Sequence, residues 1–473
     1  MRNKNLLKIF IIISCLCSTL LSAVAQKNTT RKEVSRDSLK SIVDSLRKNE
    51  VNLPLNIVVK PNETTASTQT VYTSDLIKQP VANPLNALAG RLAGLYTLQS
   101  SGQPGSDGVS LTLRGRTPLI LIDGIPRQLT YMDLQEIESV TELKDAMGTA
   151  LLGVRGANGA ILITTRQGSA GAQQISFTVQ SGFQQPIGMP KPLDAFDYAT
   201  LRNEAIANEL SVNSNFNTGL RYSAADLLAF QNHTDPIGHP DVNWQNQILK
   251  SQAQLNRYSL NISGGNNYVR YFTAIEHLYQ DGLFKTSDIN PYNTNEYLST
   301  YLIRSNVDVT ITPKLSAGIH LLGSIANENE PGGVLSSTTA LNGTLNGTQT
   351  IFNSFLTTPA SAYPVYNTNG TYGGNTQFTN NIQGQAVSAG YSQNYTRNII
   401  ADFYAKRTLD EITPGMYIKA SVSYTSNLNE IINRSKPVIA YQESVSPAGV
   451  QTYGSALTAS SVQLNTNTIL PGI

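Results

Sequence analysis

The feature of this sequence that most restricts its fold is a two-residue alternation of apolar and polar side chains after Gly168. Between Ile175 and Phe183 the odd positions are apolar, and most even positions are polar or small. The alternation returns near residues 303–311, 315–321 and 418–424. Because successive side chains of a strand point to opposite faces, each segment predicts a strand with one apolar and one polar face. A membrane barrel and a soluble sandwich both contain such strands.

The lengths of the connections favour the barrel. We predict strands near residues 173–186, 254–264, 267–280, 298–311, 314–327, 394–408 and 415–428. Their links are alternately long and short, and bacterial barrels combine long outer loops with short periplasmic turns. If the first strand rises from the periplasm, segments 187–253, 281–297 and 328–393 lie outside the cell. A low charged fraction of 14%, with 35 Gly and 22 Tyr, also suits β structure with polar loops.

The N-terminus predicts export. Residues 1–25 combine basic residues, an apolar core and a small-residue site, which predicts signal-peptide cleavage between Ala25 and Gln26. An uncleaved anchor, or a lipid on Cys15, is the alternative. Cleavage removes both cysteines, which excludes disulfides and thiolate metal sites. The remaining charges nearly balance, so nothing indicates nucleic acid, and the four histidines form no metal motif; His233 and His239 are interpreted as ordinary loop residues.

The stretch from Leu111 to Gly168 predicts a small mixed domain. Residues 118–122 form an apolar run stopped by Asp123 and Gly124, which indicates a buried strand and a turn. Residues 137–143 and 160–165 predict two further strands, and residues 144–154 a short helix. Gly153, Gly156 and Gly159 then break that helix.

Three functional interpretations of this stretch are weak. Its glycines precede a strand, whereas a phosphate-binding loop opens a helix, so nucleotide binding is not favoured. Asp123, Glu136 and Glu138 are interpreted as turn residues and not as an acid/base pair, and no nucleophile or metal cluster predicts an enzyme. The arginines are expected to pair with nearby carboxylates; they are Arg114, Arg116, Arg127 and Arg155, with Asp123, Asp133, Glu138 and Asp145 as partners.

Four ordered motifs give the stretch a family resemblance. They are LRGR at 113–116, PLILIDGIP at 118–126, IESVTELKDA at 137–146 and GVRGANGAILITT at 153–165. They resemble the plug domain of the SusC/RagA-type TonB-dependent outer-membrane transporters. On this resemblance the plug-motif residues, expected to be structural, are Arg114, Gly115, Arg116, Asp123, Gly124, Lys144, Asp145, Gly153, Arg155, Gly156, Asn158 and Gly159.

The resemblance implies an α+β plug domain followed by antiparallel transmembrane β-barrel strands. The expected domains are a signal peptide at 1–25, a periplasmic tether at 26–65, the plug at 66–168 and barrel strands with long outer loops at 169–473. A weak helix is expected at 38–48, and the family's first plug helix at 75–95. Motifs in the first outer loop, including a plausible helix at 193–209, extend the resemblance to about residue 330.

The resemblance also implies function and partners. The protein is expected in the outer membrane of a Gram-negative, Bacteroidetes-type cell, importing oligosaccharides or, less often, peptides without a cofactor. The TonB–ExbB–ExbD complex is expected to act on an extended segment near the N-terminus, and a SusD-like lipoprotein to cover the outer loops. The candidate TonB contact is Leu55, Asn56, Ile57, Val58 and Val59, with the first plug strand as the alternative assignment.

Length raises a question about the barrel. Family barrels have 22 strands, and the seven predicted here would leave unpaired edges in lipid. The sequence is therefore expected to be the N-terminal portion of a longer transporter, with its last residues in an outer loop. A non-transporting surface β protein, a secreted enzyme and a non-functional gene fragment are the alternatives.

Overall fold

The structure is a computed structural model that describes residues 51–54, 57–77, 79, 81–127, 132–212, 221–288, 290–332, 347–446, 449–455 and 464–472. The predicted signal peptide with its Ala25 and Gln26 cleavage site, and the predicted helix at 38–48, lie outside these residues. Leu55 and Asn56 of the candidate TonB contact also lie outside them.

The strands divide between two regions of the chain. Before residue 168 they are β1 (Val51–Leu53), β2 (Ile57–Val59), β3 (Thr68–Tyr72), β4 (Leu95–Gln99), β5 (Val109–Leu113), β6 (Leu119–Ile122), β7 (Ile125–Pro126), β8 (Ile137–Leu143) and β9 (Ala160–Thr165). After it they are β10 (Gly171–Gln184), β11 (Ala253–Gly265), β12 (Val269–Asp281), β13 (Tyr297–Thr312), β14 (Leu315–Pro331), β15 (Gly390–Thr408), β16 (Tyr417–Ser435), β17 (Tyr441–Val445), β18 (Gln451–Ser455) and β19 (Leu464–Gly472).

The described helices range from one turn to the 18 residues of Ala195–Val212. They are α1 (Thr73–Leu76), α2 (Ala146–Thr149), α3 (Ala195–Val212), α4 (Ala224–Asn232), α5 (Trp244–Ile248), α6 (Gly347–Thr357) and α7 (Ile382–Ser388). Short 3-10 helices cover Pro61–Glu63, Pro84–Leu88, Leu134–Glu136 and Ala150–Gly156, the last with a kink at Gly153. No helix in the described ranges is long and apolar enough to cross a membrane.

The most N-terminal described segment forms a compact unit of its own. In this unit β2 pairs with β1 in an antiparallel ladder that aligns Val51 with Val59. Val58 is 53% exposed in this two-stranded sheet.

A five-stranded sheet is the centre of the first domain of the larger unit. Its strand order is β3-β8-β9-β6-β7, in which β6 and β9 are parallel and the other neighbours antiparallel. The predicted strands at 118–122, 137–143 and 160–165 therefore exist as β6, β8 and β9. The core beneath them contains buried residues that include Leu76, Leu113, Val140, Ile161 and Ile163.

Two helix predictions for this domain were wrong in extent. The described residues of the segment 75–95 contain the end of α1, the 3-10 helix Pro84–Leu88 and the first residue of β4, and no continuous helix. Pro80 and Pro84 lack the N–H that a continuous helix needs, and Gly90 has a φ of 68°. The helix predicted at 144–154 is limited to α2, because the chain continues as a 3-10 turn interrupted at Gly153, where φ is 59°.

The second region is one antiparallel sheet of eight strands. Its order is β10-β11-β12-β13-β14-β15-β16-β19, so each strand pairs with the next in the sequence apart from the separate hairpin β17–β18. The seven predicted strands are present as β10 to β16. The segment 464–472, predicted to lie in an outer loop, is instead a strand paired with β16, from Leu464 opposite Ser435 to Gly472 opposite Asn427.

The two faces of this sheet differ in the way the alternation predicts. In β13, Ile303 is 52% exposed while the adjacent Arg304 is 5% exposed. Large apolar side chains are exposed on the outer face, among them Ile175, Phe177, Val179, Ile275, Tyr301, Ile319, Ile325, Ile399, Phe403, Val422 and Tyr424. Polar side chains are buried on the inner face, among them Arg257, Ser259, Asn261, Glu276, Thr300, Asn306, Ser324 and Asn398. This confirms the predicted fold class, an α+β domain followed by antiparallel β strands.

The long connections are folded, and they have a core of their own. Trp244 of α5 packs against Tyr363, with ring centroids 4.8 Å apart, in a cluster that also contains Ile351 of α6 and Ile382 of α7. The helix predicted at 193–209 is α3.

Candidate functional site

The turn between β6 and β7 shows the structural use of Asp123. Asp123 and Gly124 both have positive φ, 50° and 84°, as a two-residue hairpin turn requires. The Asp123 carboxylate accepts hydrogen bonds from the Thr165 backbone N (2.8 Å) and Oγ1 (2.7 Å). The turn is therefore tied to the end of β9.

The arginines of the LRGR segment have different partners from those predicted. Arg114 and Gly115 form a turn with φ of 52° and 81°. Arg114 Nη1 donates to the Lys144 carbonyl (3.0 Å), and Arg116 Nη1 donates to Asn158 Oδ1 (3.4 Å). The prediction of pairing with nearby carboxylates was wrong for these two residues, because a backbone carbonyl and an amide oxygen lie within reach instead. The contacts nevertheless bring three of the four motifs together.

Lys144 and Asp145 organise the start of α2. Asp145 Oδ1 accepts from Gly148 N and Oδ2 from Ser67 N, both at 2.8 Å. Burial acts to raise the pKa of Asp145, but these backbone hydrogen bonds outweigh it and hold the pKa below its ordinary value. Lys144 Nζ pairs with Glu142 at 2.6 Å, yet burial still raises the pKa of Glu142.

The glycines of the last motif are required by packing at two positions and by backbone conformation at a third. Gly159 has a φ of 86°, and a Cβ there would lie 2.7 Å from Leu113 Cδ2. A Cβ at Gly156 would lie 2.9 Å from Leu152 Cβ. A Cβ at Gly153 would meet no atom within 4 Å, but the φ of 59° at Gly153 is positive and favours glycine.

The plug sheet is attached to the inner face of the large sheet by buried polar pairs. Arg304 Nε of β13 donates to Glu136 Oε2 (2.9 Å), and both side chains are almost fully buried. Arg127 forms a bidentate pair with Asp402 of β15. Asn261 of β11 donates to Gln135 (2.6 Å). Burial raises the pKa of Glu136 even though Arg304 acts to lower it.

These attachments were missed by sequence reasoning. Arg127 was expected to pair with a nearby carboxylate, and Glu136 was interpreted as a turn residue. Their partners lie on strands more than 160 residues further along the chain, so no local spacing indicates them. The sequence signal for such a pair is a charged residue at an inward-facing position of a predicted barrel strand, such as Arg304, because a charge buried there requires a partner.

A cavity of about 920 Å³ lies between a plug loop, the ends of the strands and helix α6. Gln103 and Asp107 line it from the plug loop, and Glu296 from the start of β13. Its apolar wall includes Met189, Phe284 and Phe352. Gln103 Nε2 donates to Glu330 Oε2 of β14 (3.2 Å), which links the plug loop to the strand beside the cavity.

The outer segments contain one histidine cluster. His239 Nε2 lies 3.0 Å from Asp226 Oδ1 and its Nδ1 lies 2.9 Å from Asp235 Oδ2. Burial acts to lower the pKa of His239, but the two carboxylates raise it above its ordinary value. This cluster links α4 to the loop that follows it. Within the described ranges no group of His, Cys, Asp or Glu could hold a metal ion.

Comparison with known proteins finds similarity to TonB-dependent receptors. The TonB-dependent Receptor Plug Domain family matches residues 60–160. A TonB-dependent receptor of Formosa agariphila is 28% identical over 363 residues, covering 73% of this chain and 32% of that protein. The TonB-dependent receptor SusC of Bacteroides thetaiotaomicron is 26% identical over 278 residues, covering 55% of this chain and 25% of SusC. The chain is thus similar to TonB-dependent receptors of the SusC/RagA type.

The solved structures agree on the fold. The RagAB peptide importer in its open-open state matches with a TM-score of 0.60 at 21% identity, covering 82% of this chain and 43% of that one. The chain spans about a third of the length of the curated relatives that it matches first. SusC/RagA-type proteins are outer-membrane proteins, and the exposed apolar face of the large sheet suits that location.

The predicted domain limits and TonB segment stay predictions. The strands of the plug sheet, from Thr68 to Thr165, lie inside the predicted range 66–168. Of the candidate TonB contact, Ile57 to Val59 form β2, whose partner is β1, whereas the plug sheet begins at β3.

Proposed function

We propose that the protein imports a large nutrient through the outer membrane, with energy supplied by TonB, ExbB and ExbD. The observation that carries this proposal is the attachment of the plug to the polar face of a sheet whose other face is apolar and exposed. A plug fixed by a few buried pairs blocks passage at rest, and it needs work from outside to be displaced.

The proposed TonB contact is the segment 55–59. A partner strand can add to a short exposed strand through backbone hydrogen bonds, and Val58 offers an exposed apolar side chain next to such an edge. A SusD-like lipoprotein is the proposed partner over the outer segments. The proposed cargo is an oligosaccharide or, as in the RagAB importer, a peptide.

The test is uptake of labelled oligosaccharides and peptides by native cells. We expect cells without the gene, and cells without TonB, to lose uptake of the same solute. Replacing Ile57, Val58 and Val59 by serines should reduce that uptake at least about tenfold, because the apolar strand that TonB would pair with is lost. The matched control replaces Asn62, Glu63 and Thr64 by serines, and it should leave uptake unchanged.

Two outcomes would contradict different parts of the proposal. Uptake that persists without TonB would exclude energised import. Unchanged uptake in the triple-serine variant at 57–59, with TonB still required, would move the TonB contact elsewhere and leave the import function in place.

A further inference from the structure

The cavity beside the plug loop is acidic and has no cationic lining. Among the described residues that line it, Asp107, Asp281 and Glu296 carry carboxylates, and none is Lys, Arg or His. Asp281 already pairs with Lys250, at 2.7 Å. Asp107 and Glu296, which are 6% and 4% exposed, form no ion pair within the described residues. The cavity therefore holds two nearly buried carboxylates that the protein does not neutralise.

One oxygen of Glu296 also has no hydrogen-bond partner. Glu296 Oε1 is buried and unpaired in the structure, and so is Gln280 Oε1 on the same cavity wall. A buried acceptor without a donor is destabilising unless a ligand or water supplies the donor. Because Glu296 and Gln280 both line this cavity, their two unpaired oxygens indicate a ligand that donates hydrogen bonds.

The surroundings of Glu296 disfavour its ionised form when no cation is bound. The neighbouring charge that acts on Glu296 is the carboxylate of Glu330. Burial raises the pKa of Glu296 to about 7; a hydrogen bond with Thr348 acts to lower the pKa, and the repulsion by Glu330 adds to the rise. Burial likewise raises the pKa of Asp107. A bound cation would reverse both effects by stabilising the ionised carboxylates.

Two buried acids elsewhere in the described residues have arginine partners. Glu136 is paired with Arg304, and Glu276 lies 3.6 Å from Arg257, both deep at the interface between the plug and the large sheet. The cavity carboxylates lack such partners. A metal ion does not fit, because no group of three ligating side chains exists in the described ranges.

An organic ammonium group fits the lining. It carries three N–H donors and no acceptor, which matches carboxylate and amide oxygens. The apolar wall formed by Met189, Phe284 and Phe352 suits the carbon skeleton that bears it. The volume of about 920 Å³ leaves room for several units of an oligomer.

We propose that this cavity binds a primary ammonium group of the imported solute, with Glu296 and Asp107 as the acceptors. The proposal rests on the proposed import function and specifies its cargo as cationic. An amino sugar oligomer and a peptide with lysine side chains both offer this chemistry.

The test measures binding to the purified full protein at pH 7 by calorimetry, which requires neither TonB nor import. The probes are a glucosamine tetramer and tetralysine, each compared with its N-acetylated form, which has lost the cation. We expect one ammonium probe to bind at least about tenfold more tightly than its acetylated form, because charge-assisted hydrogen bonds are lost on acetylation. Which of the two binds identifies the source.

The variants locate the site. Glu296→Gln and Asp107→Asn each remove one charge at nearly constant volume, and each should reduce the preference for the ammonium form by about tenfold. Glu204→Gln changes an exposed carboxylate on α3, outside the cavity lining, and should have no effect. If one of the two cavity variants fails to fold, the other still tests the site.

The results that would contradict the ammonium site differ from those that would contradict the import function. Equal binding of ammonium and acetylated probes by the wild-type protein, or binding of neither, would overturn the proposal. So would an ammonium preference that both cavity variants retain. If cells still import a neutral solute in a TonB-dependent manner, the import function stands without the cationic cargo.

Discussion

Two regions of this protein bury acidic side chains in opposite arrangements. At the interface between the plug and the large sheet, Glu136 lies against Arg304 and Glu276 against Arg257. At the outer cavity, Asp107 and Glu296 are buried to a similar degree and have no arginine or lysine partner in the described residues. An unpaired buried charge destabilises the folded protein. The difference therefore separates charges that attach the plug to the large sheet from charges that we propose bind a ligand.

The largest effect is expected from breaking an interface pair. Arg304→Leu leaves the fully buried Glu136 without its cation, which should lower the free energy of unfolding by about 3–5 kcal/mol. Urea titration of the protein in detergent micelles measures this change. The control is Arg397→Leu, whose ion pair with Glu430 is largely exposed, with side-chain exposures of 44% and 28%. The free energy of unfolding of that variant should fall by at most about 1 kcal/mol. Equal losses in the two variants would contradict the distinction between buried interface pairs and surface pairs.

At the cavity, removing the charge of Glu296 should increase the free energy of unfolding, which is the opposite of the effect expected for Arg304→Leu. The pKa of Glu296 is raised to about 7, so the unfolded chain loses this proton at a lower pH than the folded protein does. Between those two pKa values the folded state therefore loses stability as pH rises. Glu296→Gln should raise the free energy of unfolding by roughly 2–3 kcal/mol at pH 8 and leave it unchanged at pH 4.

The same titration, run at both pH values without solute, tests this reversal. Glu204→Gln serves as the exposed control, and its stability should match the wild type at both. A Glu296→Gln variant that is less stable at pH 8 would show that the carboxylate is satisfied within the protein.

The smallest effect concerns uncharged contacts at the interface. Asn261→Ala removes the hydrogen bond to Gln135 and should lower the free energy of unfolding by about 1–2 kcal/mol, because the Gln135 oxygen loses this donor. Asn256→Ala lies on the same strand but on its exposed face, where Asn256 pairs with Ser181. Its cost should be near zero; similar costs for the two would mean that burial at the interface contributes little.

Local patterns made much of the fold predictable. The alternation around Ile303 and Ile319 predicted strands and their faces, because the two-residue period needs no knowledge of distant residues. The hairpin at Asp123 and Gly124 followed from turn chemistry. β19 was missed because Asn465 and Asn467 alternate with no run of apolar residues, and Pro471 argues against a strand.

Long-range contacts were beyond the sequence. Arg127 and Asp402 are 275 residues apart, and no spacing within the plug predicts that pair. The cavity likewise depends on a plug loop, strand ends and α6 meeting in space, so Glu296 could not be distinguished from any other acid before a strand. The plug-motif glycines were predicted to be structural, and the contacts around Gly159 supply the physical reason.

The position of β3 has a mechanical consequence. Among the described residues it is an edge strand of the plug sheet that pairs with β8, and Thr68 is its residue nearest in sequence to the predicted tether at 26–65. A load arriving through the tether reaches this ladder before it reaches Glu136 and its arginine. The ladder would then open one residue pair after another, at low force, while the centre of the plug sheet stays attached to the inner face of the large sheet. Traction on the tether would thus unzip an edge before it moves the whole plug.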